Sequence, residues 1–382
     1  MKDPFKTINS GRANFLLLVF ICCIAAGAVL KITSPVILPF TIAALLAFVF
    51  YPMILWLDKL HIPRILSIFL ALAIMISGLY LLGIVIFSFG RTIYTHFSGY
   101  ESRLTEIYLW IARFFELSYN EGMSFFENLW NQMGIRGRIW GWTYSFSNSF
   151  FEFLRNAFLV VLFMVFLLIE ATQFNDKLEL AFEERAVRFK RMGADIMKQV
   201  ARYLTAKFLI SVLNGFAVAI TMSIVGLEFV IVWAVVQFIM NFIPNIGSIV
   251  SGVLICLFAL LQFWPEPGPF IAVIAIMLGI NIVLGYMLEP KIIGDNIGIS
   301  PFVVIASLVI WGWLWGFAGM VIAVPMMVII RIVCENFPFL EPVSIILGSR
   351  KSVLAKKAAQ EAATQEAAAP DASTAENKSA EV

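Results

Sequence analysis

The chain has 382 residues, of which 61% are hydrophobic and only 14% charged, and its mean hydropathy is +0.90. A soluble domain is about half apolar and about a quarter charged, so the excess here exceeds what a core of this length buries, and a bilayer is the solvent that takes it. The formal net charge of +2 lacks the clustered surplus of Lys and Arg that nucleic acid demands, so no nucleic-acid partner is expected.

A membrane span needs about 20 mostly apolar residues. In chain order the clear candidates are 14–30, 36–57, 65–89, 153–170, 207–226 and 270–288. The first follows Lys2, Lys6 and Arg12 and contains Ala26-Gly27-Ala28, so a cleaved signal peptide is the alternative to a span there. Segment 90–152 is not a structureless loop. Ile93, Phe97, Tyr100, Leu104, Ile107, Ile111 and Phe114 recur at helical spacing, and an aromatic block at 125–130 and 140–142 follows. That pattern suits an exterior amphipathic cap or a subunit contact. Segment 171–206 mixes apolar positions with Lys177, Arg185, Arg188, Lys190, Arg191, Lys198 and Arg202, and reads as basic linker helices entering the span at 207.

Two further apolar runs are too long for one span and are interrupted. Residues 229–263 break at Pro244-Asn245-Ile246-Gly247, and residues 301–333 break around Gly312, Gly316 and Gly319. The tail from about 346 to 382 is Ala-, Glu-, Lys- and Ser-rich and too polar to form a core, so disorder is expected. Short-loop Lys and Arg place both termini on the cytoplasmic side of the membrane, with 264–269, which has no basic residue, outside. The sequence therefore divides as 1–89 (three spans), 90–152 (exterior segment), 153–206 (span and basic linker), 207–345 (motif-rich core) and 346–382 (tail).

Span 207–226 followed by broken run 229–263 has the opposite orientation to span 270–288 followed by broken run 301–333. Paired interrupted segments in inverted halves are the best sequence pointer to a transport site, and irregular backbone at membrane depth survives only beside protein or water. The fold class expected is all-α: a polytopic membrane protein of about eight membrane segments, including two broken or re-entrant hairpins in inverted arrangement. Two tightly packed kinked hairpins without a site are the plain alternative.

Polar residues gather at these places. Asn214, Gln237, Asn241, Asn245 and Asn281 sit in apolar surroundings, and Pro244 and Gly247 mark the first break. Intramembrane polar groups default to a functional hypothesis; interhelical hydrogen bonds explain Asn214 and Asn281 equally well, whereas Asn241 and Asn245, beside the helix break, favour function. Glu289-Pro290 ends a span, so Glu289 is either a proton or cation carrier or a boundary charge beside Lys291. Gly312, Gly316, Gly319 and Pro325 are candidates for helix packing and hinge roles, and Gly312-x-x-x-Gly316 matches a common small-residue contact motif.

The four cysteines, Cys22, Cys23, Cys256 and Cys334, lie in apolar runs without Cys-x-x-Cys spacing, so neither a disulfide nor a metal site is expected. No His-Glu-x-x-His, Gly-x-Ser-x-Gly or Walker lysine motif is present, which argues against a metalloenzyme, a serine hydrolase and direct ATP drive, and no cofactor is called for.

Several stretches carry a resemblance: Phe242-Ile243-Pro244-Asn245-Ile246-Gly247, Leu288-Glu289-Pro290-Lys291-Ile292-Ile293-Gly294, Ile299-Ser300-Pro301, and the run from Trp311 to Met320 followed by Ala323-Val324-Pro325. In order and spacing they are similar to the C-terminal half of the autoinducer-2 exporter family of bacterial membrane proteins, and the whole layout resembles that family over about residues 10–345. The resemblance implies about eight membrane segments and a homo-oligomer. It also implies export of autoinducer-2 for some members and sodium–proton antiport for others. Three readings follow: a secondary transporter exporting a small polar solute, a cation/proton antiporter, and a non-transporting scaffold whose linker and tail bind partners.

Overall fold

The structure is a computed structural model that describes residues 10–114, 136–171, 173–183, 186–293 and 298–350, with Val353, Leu354 and Ala358. The aromatic block at 125–130, Gly294 and nearly all of the tail lie outside the described residues. Within them the chain is helical without a strand, and seven helices are long and apolar enough to cross a membrane. The all-α polytopic class read from the sequence holds.

Helices α1 (Ser10–Ile32), α2 (Ser34–Lys59), α3 (Arg64–Phe114) and α4 (Arg136–Glu170) come first. Pro35 near the start of α2 suits a helix N-terminus, where its missing N–H has no intrahelical partner in any case. Helices α2, α3 and α4 pack through Ala43, Ala47, Ile54, Ile68, Ala71, Met164 and Leu168. Small residues let apolar helices approach closely where no water drives them together. Large side chains such as Phe69, Phe158 and Phe216 face outward, as a lipid-facing surface requires. The 89/90 boundary expected between span and exterior segment falls inside α3, because one glycine, Gly90, costs only about 1 kcal/mol and does not break a helix.

Helix α5 (Phe174–Phe182) leads to α6 (Ala186–Val225), a continuous 40-residue helix joining the basic linker to the next span, so the expected 206/207 boundary also falls inside a helix. Then come α7 (Val230–Met240), α8 (Ile246–Phe263), α9 (Pro267–Ile280), a wide π-helical stretch (Asn281–Leu288), α10 (Glu289–Ile293), α11 (Pro301–Asn336) and α12 (Glu341–Leu347).

The first interrupted run is a helical hairpin. Helix α7 is about 16 Å long and α8 about 27 Å, and both feet lie at one end of the bundle. Gln262, at the end of α8, donates from Nε2 to the Gly226 carbonyl at 2.9 Å and accepts the Glu228 N–H at 2.7 Å. At the tip Asn245 holds a left-handed φ of 60°, and a Cβ on Gly247 would lie 1.7 Å from the Met240 carbonyl oxygen. Only glycine allows that approach of the two legs.

The second run reverses in the same way at Trp315 (φ −129°) and Gly316 (φ 61°), inside α11. Gly312 and Gly319 are not breaks. They are where the legs touch: a Cβ on Gly319 would lie 1.9 Å from the Trp311 carbonyl oxygen, and one on Gly312 would lie 2.9 Å from Met320 Cγ. The feet are again pinned together, with Ser300 N–H donating to the Leu347 carbonyl at 3.0 Å and Ser349 N–H to the Gly298 carbonyl at 2.6 Å. One helical stretch long enough to cross a membrane, Pro267–Ile292, separates the two hairpins. Each run thus folds back on itself, as a re-entrant hairpin or a pair of short spans would.

Candidate transport site

Helix α6 carries Tyr203, Lys207, Ser211 and Asn214 at spacings of four, four and three residues, which aligns them on one face. All four are buried. The stripe faces the first hairpin and the stretch from Asn281 to Glu289. Asn241 at the hairpin tip donates from Nδ2 to Ser211 Oγ at 3.0 Å. Asn214 Nδ2 turns back onto its own helix, donating to the Ile210 carbonyl at 3.1 Å. Gln237, fully buried, accepts at Oε1 from Ser251 Oγ of α8 at 2.5 Å, and Ser251 also reaches the Gly247 carbonyl at 2.9 Å.

Two of the buried amide atoms without a partner among the described residues lie here: Gln237 Nε2, a donor pair, and Asn281 Oδ1, an acceptor. They approach neighbouring positions of α8. Gln237 meets Ser251, and Asn281 Nδ2 lies 3.6 Å from the Cβ that Gly252 lacks. A buried polar atom left unpaired costs about 1–3 kcal/mol, so such a pair is kept where a ligand or water completes it.

At the foot of the stripe Lys207 Nζ is ion-paired with Glu289. The Lys207 side chain is 1% exposed and that of Glu289 21%. An ion pair this deep is costly to desolvate, and ionisable groups in spans mark pathways. The π-helical stretch connects Asn281 to this pair, and Glu289 N–H bonds the Leu284 carbonyl five residues back. Pro290, next in line, has no N–H to continue the ladder. Wide π turns of this kind cluster at functional sites.

Of the residues singled out from the sequence, Asn214, Gln237, Asn241, Asn281 and Glu289 lie on this polar track. Pro244, Asn245 and Gly247 build the hairpin tip, where Asn245 is exposed and its carbonyl accepts from Ser248 Oγ at 3.4 Å. Pro290 is exposed at the start of α10. Gly312, Gly316, Gly319 and buried Pro325 belong to the second hairpin, whose tip is apolar. There Trp315 Nε1 donates to the Leu30 carbonyl at 3.1 Å, and Lys31 Nζ lies 4.1 Å from the Trp313 ring centroid. The two hairpins are thus alike in backbone and unlike in chemistry.

Sequence reasoning missed Lys207, Ser211 and Ser251. The four-four-three spacing from Tyr203 to Asn214 was the available signal for the α6 stripe. Nothing local marks Ser251, which meets Gln237 only because the hairpin folds back. No group of three potential metal-ligating His, Cys, Asp or Glu residues occurs among the described residues.

Outside the spans, α3 braces the mouth of the first hairpin. Tyr100 Oη donates to the Glu228 carboxylate, Arg103 donates to the Gln262 carbonyl, and Trp110 stacks edge-on against Trp264 at 5.7 Å. Burial first, then the hydrogen bond to Glu228, raises the Tyr100 hydroxyl well above the ordinary phenol range, so it stays a donor.

Seven helices able to span a membrane, two folded-back hairpins and a buried polar track beside the first of them fit a helical membrane transporter of small solutes. The chain belongs to the AI-2E family of transporters, whose family model matches residues 15–339. A protein of Borreliella burgdorferi, named for transport without a substrate, is 30% identical over 90% of this chain and 92% of its own length. The AI-2 transport protein TqsA of Escherichia coli is 27% identical, covering 91% of this chain and 98% of its own. A sodium-lithium/proton antiporter of Halobacillus andaensis is 31% identical over 45% of this chain and 49% of its own.

Proposed function

We propose that the chain exports a small, uncharged, polar solute through the track between α6, the first hairpin and the Asn281–Glu289 stretch. The observation that carries this reading is the pair of unpartnered amide atoms, the Gln237 donor and the Asn281 acceptor, whose side chains approach neighbouring positions of α8. Six amide and hydroxyl side chains (Ser211, Asn214, Gln237, Asn241, Ser251, Asn281) suit a polyhydroxylated molecule, which needs both donors and acceptors. Autoinducer-2 is such a molecule, and the name of TqsA supports trying it first. The basic segments place both termini on the cytoplasmic side of the inner membrane, and the family likeness supports a homo-oligomer.

The test is flux of labelled autoinducer-2 from proteoliposomes holding the purified protein under a proton gradient. Gln237→Leu and Asn281→Leu should each lower flux by tenfold or more while insertion and folding persist. Normal flux in both variants refutes the track.

A second reading rests on Lys207 and Glu289. A sodium or lithium ion that takes the Glu289 carboxylate leaves the Lys207 ammonium uncompensated in a dry site, where releasing its proton is the lower-energy state. One cation then exchanges for one proton. The antiporter of Halobacillus andaensis supports this reading over the half of the chain it matches. Sodium-dependent proton movement that disappears in Glu289→Gln is the expected sign, and its absence in the wild type removes this reading while leaving the first intact.

A further inference from the structure

Helix α7 carries a second open donor, one turn nearer the hairpin mouth than Gln237. The indole Nε1–H of Trp233 is buried and has no hydrogen-bond partner among the described residues. Trp233 and Gln237 are four residues apart, so they share one face of the helix. That face lies against α8. Gln237 meets Ser251, and the Trp233 ring lies 5.1 Å from that of Phe258, two turns further along the same side of α8. The seam between the two legs therefore holds two unpaired donors in line. The Asn281 side chain, with its unpaired acceptor, reaches the same leg at Gly252.

The other surroundings of Trp233 are apolar. It belongs to a cluster with Val218 and Met222 of α6, Ile255 and Ala259 of α8, and Val273 and Met277 of α9. A buried tryptophan N–H ordinarily finds an acceptor. Ring packing alone is available to phenylalanine, without an unpaired donor to desolvate. Phe258 also lies 5.7 Å from the Tyr100 ring at the mouth, so Trp233 stands between the open amides and the way out.

We propose that Trp233 is a specificity-determining residue of the transport site, its indole N–H donating to an oxygen of the solute at the mouth-side end of the track. The assignment rests on the solute reading above and adds a route and a chemical requirement to it. Trp233 is offset from Gln237 by about 6 Å along the helix axis, so the two donors address different oxygens. A solute that engages both carries two acceptor oxygens and, for Asn281, a hydroxyl proton, as a polyol does. The solute passes from the open amides to Trp233 and leaves by the hairpin mouth, away from the Lys207–Glu289 foot. A metal cation has no acceptor to offer an N–H, so an ion exchanged at Lys207 and Glu289 makes no use of Trp233.

The experiment measures the concentration dependence of labelled autoinducer-2 flux in proteoliposomes holding the full chain. Three proteins are compared: wild type, Trp233→Phe, and a chain with benzothienylalanine in place of Trp233. Benzothienylalanine keeps the two-ring shape and exchanges the N–H for sulfur, so it removes the donor and leaves the packing. Each replacement should raise the half-saturating concentration about fivefold, the loss expected of one hydrogen bond. The maximal rate should stay within about twofold, as it does when binding common to all states is lost. Trp56→Phe, at an exposed position of α2, should change nothing. An unchanged half-saturating concentration in the benzothienylalanine chain overturns the proposal, because a defect confined to Trp233→Phe reports packing. If Gln237→Leu is still impaired in that case, the solute reading stands without Trp233. A fall in maximal rate alone also overturns the proposal. Flux that is absent in the wild type removes the solute reading and this assignment with it.

Discussion

Replacing Glu289 by Gln keeps the shape of the side chain and removes its charge, so it isolates the role of the buried ion pair. Lys207 is 1% exposed, and its ammonium in the variant has neither water nor counter-charge. Removing one partner of a buried pair costs about 3–5 kcal/mol. The reciprocal change, Lys207→Met, leaves the Glu289 carboxylate, which is 21% exposed and retains some hydration, so its cost should be nearer 1–3 kcal/mol. The double variant, Lys207→Met with Glu289→Gln, strands no charge and should return to within about 1 kcal/mol of wild type, as replaced buried pairs often do. The pair is therefore expected to couple strongly in a double-mutant cycle. The assay is reversible unfolding of the full chain in mixed micelles, followed by circular dichroism as the denaturing detergent fraction rises. The reasoning fails if Glu289→Gln destabilises no more than Lys207→Met, or if the two single costs simply add in the double variant. Either result would mean that Lys207 reaches water or another anion in the native protein.

Gly247→Ala puts a methyl 1.7 Å from the Met240 carbonyl oxygen, and Gly319→Ala puts one 1.9 Å from that of Trp311. Each should open its hairpin and cost more than 3 kcal/mol or prevent folding. Gly279→Ala, with nothing within 4 Å, should be neutral or stabilising by up to about 1 kcal/mol, and thermal stability in detergent distinguishes the three. Gln262→Ala removes both hydrogen bonds that join the feet of the first hairpin. It should cost about 1–3 kcal/mol and raise amide hydrogen exchange at 226–230, whereas unchanged exchange there would show that the α3 contacts hold the mouth without it.

Much of this protein was legible in the amino-acid order because bilayer physics is local. A run of about 20 apolar residues must span, and a run of 35 with Pro244 and Gly247 in it cannot span as one helix. Both reversals follow from such local facts, since Gly316 and Gly247 are where backbone and close contact exclude a side chain. The same locality marks two boundaries at which the backbone does not break. Composition changes sharply at 89/90 and at 206/207, but helices continue across a change in solvent when no residue stops them, as α3 and α6 do.

The site divides along the same line. Asn214, Gln237, Asn241 and Asn281 were visible because a polar side chain in an apolar run is expensive wherever it points. Lys207 was hidden, because next to a basic linker it reads as one more boundary cation. Its burial exists only because α6 passes beside Glu289, 82 residues later in the chain. The pairing of Gln237 with Ser251 likewise required the hairpin to fold back. The sequence by itself determined the solvent, the helical class and the positions of the reversals, each set within a few turns of chain. Tertiary structure alone decided which polar groups met and which stayed open, because a partner's identity depends on packing between segments distant in sequence, and no local pattern encodes that distance.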